Sequence, residues 1–457
     1  MIKFNKSDKE KKQKEDDKLQ LGRRQFLKGS GAALGAAFLV ACGAEPAASP
    51  TAVPTIVEKA ATVQIVTNSY KDVVLRQIGT GVSSYNEVQE KVMEDLGFTV
   101  QMTALQTDEN NQRAITQPDS WDVFDGEYFS LPLIVPSGNL LALDTSRIPA
   151  FDSISPIFTT GKLRPDSVIA QGTAPHKVMF VEGAGSTTFA TEQTGYATLI
   201  PTIYNADTLG YRPDLTGRPI ESWAELLNEE WQGKTAILDI PSIGIMDAAM
   251  VVESAGLMSF GDKGNMTKEE LDQVTDILKE YKAAGQFRAF WKDFNESVNL
   301  MASGEVVVQS MWSPAVTAVK AQGIECVYAP LKEGYRAWGG GIGLNSNLEG
   351  VALDAAYEYI NWWLTGWAGA FVGRQGYYSS SPENAKKYLT EAEWDFWYDG
   401  KEASVAMIDP FGTELEPAGA LRDGGSYEDR MGSVVVWNSV MEEQDYLVQK
   451  WNEFIAS

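Results

Sequence analysis

Histidine is almost missing from this chain, which has only His176, and cysteine occurs twice, as Cys42 and Cys326. A His/Cys zinc site needs several such ligands, so that class is excluded. A Ser-His-Asp triad could exist only if His176 served it. His176 lies in GTAPHKVMF ahead of a strand-like run, where a surface role fits. Cys326 sits in GIECVYAP and reads as a small buried hydrophobe. With Cys42 taken up as described below, no intramolecular disulfide is available. No metal and no cofactor are expected. Positive charge is also in short supply, with 38 Lys and Arg against 62 Asp and Glu. That balance excludes nucleic-acid binding, because phosphates would be repelled. It suits a cationic ligand, and equally an acidic extracytoplasmic surface.

Long apolar runs are scarce as well. Residues 29–41 are uncharged and rich in Gly and Ala, but 13 residues fall short of the ~20 needed to span a bilayer. The order of features around them is informative. Arg23 and Arg24 precede the run, and Leu39-Val40-Ala41-Cys42 follows. This resembles a twin-arginine (Tat) export signal ending in a lipobox, with Cys42 lipidated and made the new N-terminus. Two or more acyl chains would hold the protein stably on a membrane. Without residues 1–41 the chain keeps 28 basic and 57 acidic residues, a net charge of −29. Residues 42–61, rich in Ala, Pro, Ser and Thr, read as a flexible tether.

The remaining chain suits two lobes better than one core. Strand-like and helix-like segments alternate. TVQIVTNSY (62–70) reads as a first strand, FTVQMTAL (98–105) as a second and WDVFDGEYF (121–129) as a third. Between the first two, Tyr85, Val88, Val92 and Leu96 mark a helix, with Ser84 and Glu87 spaced as a capping box. A second series follows. Residues 221–234 read as a helix capped by Ser222, 235–242 as a strand and loop, and 267–285 as an amphipathic helix starting at Thr267 and Glu270. GEVVVQSMWSPA (304–315) is a strand ending at Trp312, and 353–366 is another helix. Such alternation signals α/β sheets, which bind ligands near the C-terminal ends of their strands.

Four stretches in this order carry a resemblance: WDVFDGEYFSLPLIVPSGNLLALDTSRIPAF, SWAELLNEEWQGKTAILD, LMASGEVVVQSMWSPAVTAVKAQG and GYYSSSPENAKKYL. Together they resemble the bacterial extracellular solute-binding proteins of ABC importers, in particular the spermidine/putrescine-binding group. The resemblance spans roughly residues 62–457. It implies an α/β, two-lobed clamshell of the periplasmic-binding-protein kind, with discontinuous lobes joined by a hinge. We expect lobe 1 over 62–185 and 337–395, and lobe 2 over 186–336 and 396–457. It implies a monomeric binder, not an enzyme, that passes a small polar solute, a polyamine or related amine, to an ABC permease from a lipid-anchored, extracytoplasmic position. A secreted carbohydrate-active enzyme and a solute receptor for a membrane sensor are the competing readings. No spacing of carboxylates defines the acid pair that a glycosidase requires.

The family match puts Asp125, Gly126, Glu127 and Tyr128 at a first contact loop and Asp239 in an acidic turn. It puts Trp312 and Trp338 on aromatic walls, and Trp437 and Asn438 near a late polar contact. Carboxylates would take ammonium groups, and ring faces would take methylenes and cations. The sequence departs from the group at one telling place. The group has an Asp two residues after the second-wall Trp, whereas here Trp338 is followed by Gly339-Gly340-Gly341. A second acid after Asp239 is likewise replaced by Ile240-Pro241-Ser242. A small organic anion is the alternative ligand. The turn containing Gly81, Ser83 and Ser84 precedes a helix, whose free N–H groups could hold one. Tyr377-Tyr378 are adjacent tyrosines, as in ferric-binding relatives, but out of place for that role.

Overall fold

The computed structural model describes residues 70–457. The predicted first strand, the export signal and Cys42 lie outside these residues, apart from Tyr70. The first described strand is β1 (Val74–Gly79), followed by α1 (Asn86–Leu96), β2 (Thr99–Ala104), α2 (Thr107–Thr116) and β3 (Val123–Glu127). α1 buries Val88 and Val92 against the sheet and ends at Gly97, whose positive φ closes the last turn. The predicted capping box does not form: the N-cap is Tyr85, which makes no side-chain cap bond, and the Ser84 hydroxyl is buried without a partner.

Next come the long strand β4 (Ile200–Tyr211), β5 (Thr235–Leu238), α3 (Pro241–Ser254), α4 (Lys268–Ala283), β6 (Phe287–Trp291), α5 (Phe294–Ser303), β7 (Val308–Met311) and α6 (Ser313–Lys320). In α4 the Thr267–Glu270 capping box is formed in both directions. Residues 221–234 differ from expectation, giving two short 3-10 turns, Trp223–Leu227 and Glu229–Trp231, in place of an α-helix. The reason is visible in Glu225, whose carboxylate accepts from Arg218, Asn228 and the Trp231 indole. Those bonds hold the chain in local turns. The chain continues through β8 (Tyr335–Leu344), α7 (Gly350–Leu364), α8 (Trp367–Gly373), β9 (Tyr378–Ser379), α9 (Tyr427–Gly432), β10 (Val434–Trp437) and α10 (Gln444–Ala456).

One sheet runs through the protein in the order β2-β1-β3-β8-β4-β7-β5-β6. β1 is parallel to β2 and β3, and β5 is parallel to β6 and β7. Between these two parallel sets lie β8 and β4, antiparallel to each other. β4 pairs with β8 through Ile200–Asp207 and with β7 through Thr208–Tyr211. β8 pairs with β3 through Gly340–Leu344. The two long strands therefore belong to both halves of a two-lobed α/β molecule. Ile200, Ile203 and Tyr204 pack in one core with Leu75, Val88 and Val123. Leu209 and Tyr211 pack in another with Trp223, Val251 and Trp451. At Gly341 an added Cβ would meet the Ile200 carbonyl oxygen at 2.7 Å, so glycine is what lets β8 and β4 approach there.

Candidate functional site

Both parallel sets present polar and aromatic residues at their C-terminal ends, where open α/β sheets bind ligands. In the first set, β3 ends at Glu127, β1 runs into the turn before Tyr85, and β2 is followed by Thr107. Thr107 Oγ1 donates to Glu127 Oε2 at 3.1 Å. Burial raises the Glu127 carboxyl to about 7, while the Thr107 bond and the Arg336 charge oppose that shift.

Glu127 stands directly opposite Gly340 in the β3–β8 ladder. Residues paired in this way project from the same face, their Cβ positions ~4.5–5.5 Å apart. Trp338, two residues earlier on β8, shares that face. Its ring meets Tyr377 edge-on at 6.0 Å. Nearby, Tyr85 donates from its hydroxyl to Gln375 at 3.0 Å and packs edge-on against Phe371. The acid absent at position 340 is thus matched by an acid across the ladder. A Cβ at 340 would meet nothing closer than 3.6 Å, so glycine is not imposed by packing there.

In the second set, Asp239 follows β5, Lys292 follows β6 and Trp312 follows β7. Asp239 is 7% exposed. It accepts from the Trp451 indole at 2.8 Å and pairs with Lys292 at 3.1 Å. Trp312 stands edge-on to the buried Trp291 with ring centres 4.8 Å apart.

Other predicted contacts are interior. Tyr128 is buried, and its hydroxyl donates to the Leu199 carbonyl at 3.0 Å. Trp437 is buried beside Phe158. Asn438 is buried and accepts from Arg336 at 2.8 Å. Gly126 lies within β3, paired with Gly341. Asp125 is buried, with its carboxyl raised well above the usual range by burial and by Glu127. It accepts from Ser83 Oγ and from Gln77 at 3.4 Å. The turn proposed to hold an anion therefore spends its Ser83 hydroxyl on a carboxyl group, and Gly81 has open space beside it. Cys326 is buried, its thiol pushed up to about 12 by that burial. His176 is half-buried and packs on Gly161. Among the described residues no three His, Cys, Asp or Glu side chains gather as a metal site.

Sequence reasoning missed the charged group where the long strands run side by side. Arg336 on β8 is 1% exposed. Its Nε bonds Asp247 at 2.7 Å, and its Nη1 faces Asp207 at 3.4 Å. Asp207 also accepts from the backbone N–H of Ser313 at 3.2 Å. The available signal was Asp207 standing inside the otherwise uncharged run IPTIYNADTLGY.

Two α/β halves sharing two strands, with aromatic rings and acids at their strand ends, define a solute-binding clamshell. The chain belongs to the bacterial extracellular solute-binding protein family, whose model matches residues 87–387. It is accordingly a binding protein rather than an enzyme, of an extracytoplasmic family. No curated protein matches it. Its fold is similar to that of the spermidine/putrescine ABC transporter substrate-binding protein PotD of Streptococcus pneumoniae, with 14% identity, 83% of this chain and 99% of that chain covered, and a TM-score of 0.56. It is also similar to the TpPotD lipoprotein of Treponema pallidum, with 12% identity, 84% and 99% covered, and a TM-score of 0.57. The Atu4243 GABA receptor shares the fold at 17% identity, with 84% and 97% covered and a TM-score of 0.52. At these identities the likeness concerns the fold alone. Among the described residues no helix is long and apolar enough to cross a membrane.

Proposed function

We propose that this chain is the substrate-binding component of an ABC importer and that its ligand is a small amine of the polyamine class. The observation that carries the ligand class is Glu127 facing Gly340 on the face that also bears Trp338. A carboxylate beside an indole suits an ammonium group, through a charge-assisted bond and cation–π attraction. A second ammonium would reach Asp239, displacing the Lys292 ammonium, whose side chain is 69% exposed. The relatives named for spermidine/putrescine and for GABA are consistent with amine ligands on this fold.

In this reading the lobes exchange chain within β4 and β8, so residues 186–199 go with the first lobe. Closure about those strands brings Glu127 and Trp338 toward Asp239 and Trp312. Export by the Tat signal at Arg23 and Arg24, and lipidation at Cys42, would keep a monomer near its permease and raise its local concentration there. Handing the solute to a membrane sensor instead would use the same cleft.

Calorimetric titration with putrescine, spermidine and GABA tests the ligand class. Glu127→Gln should weaken the best amine about 10- to 100-fold. Moving the acid across the ladder, as E127Q with G340D, should restore much of that loss. If none of the three binds, or E127Q binds as well as the parent, the amine reading fails.

A further inference from the structure

Behind the cleft aromatics lies a second buried charged group, with no role in amine capture. Arg430, on α9, is 1% exposed. Its Nη2 donates to Ser313 Oγ at 2.8 Å, and its guanidinium lies 4.0 Å from the Tyr328 ring centre. Its Nε is buried without a hydrogen-bond partner among the described residues. Arg422 lies 4.3 Å above the Trp397 ring, and both its Nε and its Nη2 are buried without a well-formed hydrogen bond among the described residues. Between them stands Tyr378, fully buried, its hydroxyl under the influence of both guanidinium groups but in no well-formed hydrogen bond among the described residues. The two guanidinium groups lie 5.7 and 6.0 Å from the Tyr378 ring centre.

No carboxylate among the described residues forms an ion pair with either arginine. The acids nearest in sequence are engaged elsewhere: Asp423 and Glu416 both pair with Lys320, at 2.7 and 2.9 Å. Asp429 accepts from Ser426 at the start of α9. Arg336, by contrast, is buried with two carboxylates. Glu416 and Asp207 act on Arg422 and Arg430 only from beyond ion-pair distance, and burying two guanidinium groups without a direct counter-ion is costly. Arg430 Nε, Arg422 Nε and Nη2 and the Tyr378 hydroxyl are four buried groups without a hydrogen-bond partner among the described residues, gathered around the Tyr378 ring, and such donors are what an oxyanion requires.

We propose that Arg422, Arg430 and Tyr378 form a binding site for a small oxyanion, a carboxylate or phosphate group, separate from the amine site. The turn carrying Arg422 is its cover. Gly424 and Gly425 hold this turn at positive φ, and neighbouring Leu421 is 68% exposed. A cavity of about 280 Å³ bordered by Tyr328, Asp423 and Gly424 adjoins the same turn. The shared chemistry fits either free phosphate or the carboxylate of an organic acid.

Thermal unfolding of the full chain, titrated with sodium phosphate and separately with sodium acetate at constant ionic strength set by chloride, tests the site. A saturable rise in Tm is expected with at least one anion, and which one responds separates the two sources. Arg422→Gln should reduce the apparent affinity at least tenfold. Tyr378→Phe, which preserves shape, should reduce it several-fold. Two results would overturn the proposal. One is a Tm that follows ionic strength alone, equal in the parent and R422Q. The other is a tyrosinate absorbance near neutral pH that is lost in Y378F and unchanged by either anion, because the phenolate would then be the counter-charge. Neither result bears on amine binding, so the two proposals fail separately.

Discussion

The two lobes place an acid at the same topological point, the C-terminal end of a central strand, and hold it differently. Glu127 has a hydroxyl donor and, among the described residues, no ion-pair partner, and burial raises its carboxyl to about 7. Asp239 has an indole donor and a lysine ion pair. One lobe thus keeps an acid whose charge is unfavourable until a cation arrives. The other keeps an acid already neutralised by a side chain that can leave. Binding would gain at the first by supplying a missing charge, and at the second only by exchanging one ammonium for another. The asymmetry implies that Glu127 contributes more to affinity than Asp239.

The largest effect expected from a substitution lies between the lobes. Arg336 holds Asp207 and Asp247 where β4 and β8 run side by side. Arg336→Met would leave two buried carboxylates without a cation and should destabilise the protein by about 3–5 kcal/mol in chemical denaturation. A small loss would mean that the lobes do not share this support. Next in size is the contrast between the acids themselves. Glu127→Gln should cost amine affinity about 10- to 100-fold with no loss of stability, whereas Asp239→Asn should cost only a few-fold. Equal losses in titration calorimetry would remove the asymmetry.

Parts of this arrangement were legible in the sequence because they are local. The Thr267–Glu270 box is encoded within four residues and forms. Trp312 and Asp239 could be placed at strand ends because each follows a short apolar run. The helix expected over 221–234 failed because Arg218, outside the segment, recruits Glu225. Gly340 read as a missing acid, and only the strand register reveals Glu127 opposite it. The family match puts Tyr128 and Trp437 at contacts, yet both are buried, because a matched stretch of sequence does not say which way each side chain points. The groups around Arg336 and Arg430 join residues about a hundred positions apart, so no window along the chain contains them.

The pH dependence sharpens the contrast further. Glu127 has its carboxyl raised above the ordinary 4.5 to about 7, so the folded protein holds a proton that the unfolded chain releases. Stability from this group is present below about 4.5 and declines as pH rises to about 7, by about 1–3 kcal/mol. Amine affinity should move the other way, rising through about pH 7 as the carboxylate forms, with proton release on binding. E127Q should flatten both curves. If D239N flattens them instead, the roles of the two acids are exchanged.

The smallest effect isolates the exchange at Asp239. Lys292 is mostly exposed, so its pair with Asp239 contributes little to folding, at most ~1 kcal/mol. It nevertheless occupies the position a second ammonium would need. Lys292→Gln should leave the denaturation midpoint nearly unchanged and tighten a diamine by roughly two- to fivefold, within what an exposed pair is worth. A monoamine seated at Glu127 alone should gain nothing. The comparison to make is therefore the ratio of putrescine to propylamine affinity in the parent and in K292Q. A ratio that does not change would mean that Asp239 receives no second ammonium, leaving Glu127 as the amine-binding acid and Asp239 as a link between Trp451 and Lys292.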